Sequence, residues 1–80
     1  MARRLLPSAL RHGITESQIH HALDHALVIA DIDPDLTLHI GTDRAGNLLE
    51  VITIPASTEV VIHAMPLRRK YLPILQRRRS

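Results

Sequence analysis

The sequence predicts an α+β fold of one domain: two N-terminal helices, a four-stranded antiparallel sheet with the helices on one face, and a short C-terminal helix. Three observations carry this expectation. Thr15-Glu16-Ser17-Gln18 has the spacing of a helix capping box. Two strand-like runs flank the turn Asp43-Arg44-Ala45-Gly46-Asn47. A β-rich run, Val60-Val61-Ile62-His63-Ala64-Met65, is stopped by Pro66, which has no backbone donor.

Residues Ala2 to Leu10 have a helical composition, but Pro7 is tolerated only near a helix start. The first helix is therefore short, Pro7 to Arg11, with Arg3 and Arg4 outside it. Gly13 closes it by supplying a left-handed residue without steric cost. In the second helix Thr15 and Gln18 satisfy each other's orphan backbone donors, and Ile14 and Ile19 hold the staple positions. Ile19, Ala22, Leu23 and Ala26 then form one apolar stripe, and the helix ends near His25.

Leu27 to Asp31 is the first strand, followed by an acidic turn from Asp31 to Asp35. Leu36 to Ile40 alternates, with Leu36, Leu38 and Ile40 toward the core and Thr37 and His39 on the outer face. The turn from Asp43 to Asn47 uses Gly46 for a positive φ. Leu48 to Ile54 is apolar on both faces apart from Glu50, the mark of a central strand. Pro55 to Thr58 turns the chain into the last strand. A short helix is expected at Leu67 to Leu72, because Pro73 either breaks the segment or begins a new turn. The ordered core then spans about residues 8–72, and residues 76–80 form a mobile basic tail.

Composition narrows the function. A chain of 80 residues buries only about 60% of the surface its unfolded form exposes, so one efficient core is required. With no Cys there is neither a disulfide framework nor a thiolate metal site. No apolar run is long enough to span a bilayer, and the first residues lack the apolar segment of a signal peptide, so a cytoplasmic protein without a membrane partner is expected.

The net charge of +2 conceals an asymmetry: nine of the ten Lys and Arg residues lie in Arg3–Arg11 or Arg68–Arg79, while all eight acidic residues lie between Glu16 and Glu59. Such basic clusters suit RNA, DNA or an acidic protein, and equally a solvated surface. Phe and Trp are absent and Tyr71 is the only aromatic residue, which argues against base-stacking platforms.

His21 and His25 are four apart on one helical face beside Asp24, with His20 adjacent. That spacing can hold zinc, but a zinc site needs three or four ligands, so solvated histidines are the simpler reading and no metal or cofactor is assigned. The family resemblance given next implies RNA cleavage without a metal, which requires a proton acceptor for the 2′-hydroxyl, cations for the phosphorane and an acid for the leaving oxygen. His63, Arg68 and Lys70 are the catalytic candidates. Arg11, His12, Arg44 and Arg69 are the RNA-binding candidates. Glu50 can orient a base or form a structural ion pair, for which Arg44 is the expected partner.

Arg11-His12-Gly13, the hairpin from Ile40-Gly41 through Val51, and the exit His63-Ala64-Met65-Pro66-Leu67-Arg68 together resemble the BrnT-like toxins and related small domains of the RelE superfamily. The resemblance covers about residues 8–71 and lacks the family's N-terminal Trp-Asp segment and its Glu-rich helix after the last strand. It implies a ribonuclease toxin of a toxin–antitoxin module, neutralised by a cognate antitoxin. The alternative is a non-catalytic interaction domain whose basic edge binds nucleic acid or an acidic protein. An open sheet edge would permit a homodimer or strand addition by the antitoxin.

Overall fold

The computed structural model describes residues 3–56 and 58–79, so Met1, Ala2, Ser57 of the expected turn and Ser80 lie outside the description. The chain runs β1 (Arg3–Leu5), a 3-10 turn (Pro7–Leu10), α1 (Glu16–Asp24), β2 (Val28–Asp33), β3 (Leu36–Thr42), β4 (Leu48–Ile54) and β5 (Glu59–Pro66). A second 3-10 turn (Arg69–Tyr71) leads into α2 (Leu72–Arg79). The sheet has five strands in the order β1-β5-β4-β3-β2.

This corrects the expected architecture in three respects. The sheet is mixed and five-stranded rather than antiparallel and four-stranded, because β1 pairs with β5 in parallel, Arg3 opposite Glu59 and Leu5 opposite Val61. Three residues are too few to show a strand period, and their pairing comes from a partner far along the chain. Among the described residues there is one N-terminal α-helix, not two. Pro7 opens a 3-10 turn of four residues, and so short a segment cannot repay the cost of nucleating an α-helix. At the other end, Pro73 falls in the first turn of α2, where its missing N–H costs nothing. Residues 76–79 of the segment read as a basic tail are consequently the end of a helix.

The helices also cover both faces of the sheet. One apolar cluster joins Ile14, Ile19, Ala22 and Leu23 to Leu49, Val51, Val61 and Ala64. The other joins Tyr71 and Leu75 to Val28, Leu38, Ile40 and Ile52. Because β4 is apolar on alternate residues to either side, neither face can be left to water. The outer face expected for His39 is thus buried beneath α1, and His39 is 7% exposed.

The local signals read from the sequence are in place. Gln18 N–H donates to Thr15 Oγ1 (3.1 Å), and Thr15 N–H donates to Gln18 Oε1 (2.8 Å). Gly13 adopts φ +80° at the end of its turn and Gly46 φ +87° in the β3–β4 hairpin. Asp43 organises that hairpin: its Oδ1 accepts from the Ala45 and Asn47 amides at 3.0 and 2.9 Å. The Asn47 side-chain amide also donates to Asp43 Oδ2 at 3.1 Å, and the bonds from Asn47, side chain first, hold that carboxyl below the ordinary range. Gly41 lets α1 approach β3, since a Cβ there would collide with the Ala22 carbonyl.

Candidate functional site

The site is built around a bulge in β5. Ile52 pairs with His63 and Thr53 with Val61, so Ile62 is an extra residue. A bulge bends its strand and re-aims the side chain that follows. Here His63 shares with Ile52 and Glu50 the face covered by α2. The bulge carbonyl of Ile62 is satisfied by Ser8 Oγ at 2.7 Å, and Leu6 N–H donates to the Val61 carbonyl at 3.0 Å. These two bonds fasten the first 3-10 turn to β5. The turn carries His12 to the His63 ring, where the centroids are 5.4 Å apart and the rings meet edge to face at 72°.

At the centre lies Glu50, a carboxylate with no solvent exposure on the central strand. Its Oε1 accepts the Arg68 backbone N–H at 2.8 Å. Its Oε2 accepts Arg68 Nε at 3.0 Å, Arg68 Nη2 at 2.7 Å and His63 Nε2 at 2.9 Å. Burial pushes the Glu50 carboxyl up, but the bonds from Arg68 and His63 outweigh it and the group lies below its ordinary value. The same hydrogen bond to Glu50 raises Arg68.

An ionised carboxylate only accepts, so the Nε2 of His63 carries the proton in this bond. That fixes the ring and leaves Nδ1 as its accepting nitrogen in the neutral tautomer. The His63 side chain is 20% exposed and that of Arg68 40%. The buried carboxylate therefore presents an oriented imidazole and a guanidinium to solvent.

Lys70 joins the cluster through Tyr71. The Lys70 Nζ lies 5.1 Å and the Arg68 Cζ 5.6 Å from the centroid of the tyrosine ring, both within cation–π range. Next to this exit, an open groove of about 490 Å³ is lined by Ile14, Gln18, Leu48, Pro66, Leu67 and Leu72.

Of the residues singled out from sequence, His63, Arg68, Lys70 and His12 are brought into one cluster. Arg11 and Arg69 are exposed on the two turns that flank it. Arg44 is not part of it. It sits at the β3–β4 hairpin beside Ser17, Gln18 and Asp43, and the ion-pair partner of Glu50 is Arg68. Glu50, read as a group that can orient a base or form an ion pair, was not counted among the site residues, and Tyr71 was missed. The lone charge in an apolar strand was the available signal for the first, and the ring inside a basic run for the second.

The helix histidines bond to the backbone and stack on one another. His21 Nδ1 bonds to the Thr42 carbonyl at 2.6 Å, and the rings of His21 and His25 stack at 4.3 Å. Among the described residues no group of three or more His, Cys, Asp or Glu is placed to hold a metal ion. On the α1 face a second polar network ties five elements together. Arg3 donates to Asp24 at 2.7 Å and to Glu59 at 3.1 Å. His39 shares a hydrogen bond with Thr53 Oγ1 at 2.9 Å, and burial pushes its imidazole down against the opposing pull of Glu59. Arg3 thus joins β1, α1 and β5, and His39 and Thr53 carry the network into β3 and β4.

No helix among the described residues is long and apolar enough to cross a membrane. No family model, curated protein or solved structure matches the chain.

Proposed function

We propose that the protein is a metal-independent endoribonuclease acting on RNA in the cytoplasm, a toxin held in check by a cognate antitoxin. The observation that carries this reading is the Glu50-anchored pair of His63 and Arg68, with His12 against the histidine ring. Short resemblances to BrnT-like toxins at Arg11-His12-Gly13 and at the β5 exit point the same way.

In this reading the free Nδ1 of His63 takes the proton of a 2′-hydroxyl, and the 2′-oxygen attacks the adjacent phosphorus. His12, protonated, gives a proton to the 5′-oxygen as the P–O5′ bond breaks, leaving a 2′,3′-cyclic phosphate and a free 5′-hydroxyl. Arg68 and Lys70 balance the charge of the phosphorane. Glu50 touches neither reacting atom and acts as a positioning residue that holds the tautomer of His63 and the fork of Arg68. Arg11 and Arg69 supply flanking phosphate contacts. No role in cleavage is given to Arg44.

The test combines growth after induced expression with cleavage of a synthetic RNA by the purified chain in the presence of a chelator. Wild type arrests growth and leaves cyclic-phosphate ends. His63→Ala lowers cleavage by roughly 10²- to 10⁴-fold, the usual worth of a general base, and Lys70→Ala relieves arrest. Arrest that persists in both variants without cleavage overturns the chemistry. Salt-sensitive RNA binding without turnover supports the interaction domain instead.

A further inference from the structure

The sheet ends on β2, whose far side has no neighbour among the described residues, because β2 pairs only with β3. Half of its backbone donors and acceptors therefore face outward, as on any edge strand. The covering of this edge is uneven. Val28, Ala30 and Ile32 turn toward the α2 cluster, whereas α1 lies over β3 and β4 and leaves the other face of β2 bare. On that bare side Leu27 and Ile29 are 58% and 59% exposed, more than any other large apolar residues described. Asp31 follows on the same face, and Asp33 and Asp35 continue the edge into the turn, all exposed. No salt bridge among the described residues engages any of the three.

Natural edges are blunted by charged side chains, Pro, bulges or a covering helix, and on β2 the pairing with β3 is interrupted by a bulge only at its end, between Asp31 and Asp33. Ahead of the bulge it carries two exposed apolar residues, and its carboxylates have only neutral donors among the described residues, the Thr37 hydroxyl on Asp31 at 3.4 Å and the Asp35 N–H on Asp33 at 3.1 Å. We infer that β2 is a docking edge for an extended, basic segment of another protein, which adds to the sheet as a sixth strand. Main-chain bonds to β2 would supply register, apolar side chains of the partner would cover Leu27 and Ile29, and its Lys or Arg residues would meet Asp31 and Asp33. The charge decides the occupant. A second copy paired antiparallel through β2 would gather the carboxylates of both chains along one short ladder, and like charges opposite one another destabilise a sheet. A partner strand rich in Lys or Arg meets the opposite condition and gains from electrostatic steering.

The inference does not depend on the RNA reading, since β2 lies at the opposite edge of the sheet from β1 and contributes nothing to the Glu50 cluster. Random peptides displayed on phage, each long enough for one strand, are selected on the full-length protein at ~0.1 M salt. Enriched peptides are expected to alternate apolar residues with Lys or Arg. The synthetic peptide should shift amide resonances of residues 27–33 and lose affinity by roughly tenfold or more against an Asp31→Lys, Asp33→Lys double variant. Both replaced residues are exposed, so the variant keeps its fold, which unchanged amide shifts in β3 and β4 verify. Enrichment of acidic peptides, no enrichment, shifts confined to the β1 side, or sedimentation showing a homodimer that the double variant dissociates would each overturn the proposal.

Discussion

Glu50 is the residue on which the α2 face turns. Removing a buried carboxylate leaves its donors unpaired, and breaking such a pair typically costs 3–5 kcal/mol. Because the Arg68 side chain is 40% exposed and can recover water, Glu50→Ala is expected near the low end, about 3 kcal/mol, in urea unfolding. The pH dependence follows from the lowered carboxyl. In the unfolded chain Glu50 regains its ordinary value of 4.5 and binds a proton first, so its contribution is complete above that value and fades as pH falls through the lower, folded one. Wild type should therefore lose stability in that acid range more steeply than Glu50→Gln. Equal acid slopes would show that Glu50 is not ionised in the fold. The sequence exposed this residue as a lone charge in an apolar strand but not its partner. Arg44 was the expected one, yet the carboxylate receives Arg68 because pairing Glu50 with Met65 brings the chain beyond Pro66 back over it.

Among the elements, those with local chemistry were legible. The capping box, the Asp43–Asn47 turn and the bounds of β4 all follow from neighbouring residues. β1 and α2 were not, since the first exists only through pairing with β5 and the second is obscured by a proline that turns out to sit in its first turn. The seat of α1 depends on a glycine that no pattern marks. Gly41→Ala would drive a Cβ into the Ala22 backbone, where no flexible side chain can yield. The helix must shift, and a cost of about 3 kcal/mol, the upper range for overpacking, is expected. Thermal unfolding checks this, and an unchanged midpoint would mean that α1 is not held so closely.

For the whole molecule, the two-sided cover places β3 and β4 between two apolar layers and leaves β1 and β2 at the rims. Stability is then unevenly distributed. Amide exchange should be slowest in β3 and β4, where opening requires global unfolding, and faster in β1 and in the outer amides of β2. Uniform protection across all five strands would contradict this layering, and a basic peptide on β2 should slow the exchange of that rim alone. The two-sided cover was half-legible in the sequence: β4 reads as apolar on both faces, yet the helix meant for the second face lay beyond Pro73.

The union of β1 with β5 also sets an order of events during synthesis. Arg3 meets Glu59 across 56 positions, so the first strand made finds its partner only after the last strand has emerged. Until then the hairpin of β3 and β4 can form, but its outer neighbour is missing and Arg3 has only Asp24 and His20 of α1 to hold it. The bulge of β5, with Ser8 and His12 laid against it, is completed in that same late step. A nascent chain would therefore carry no assembled cluster until its sheet is closed.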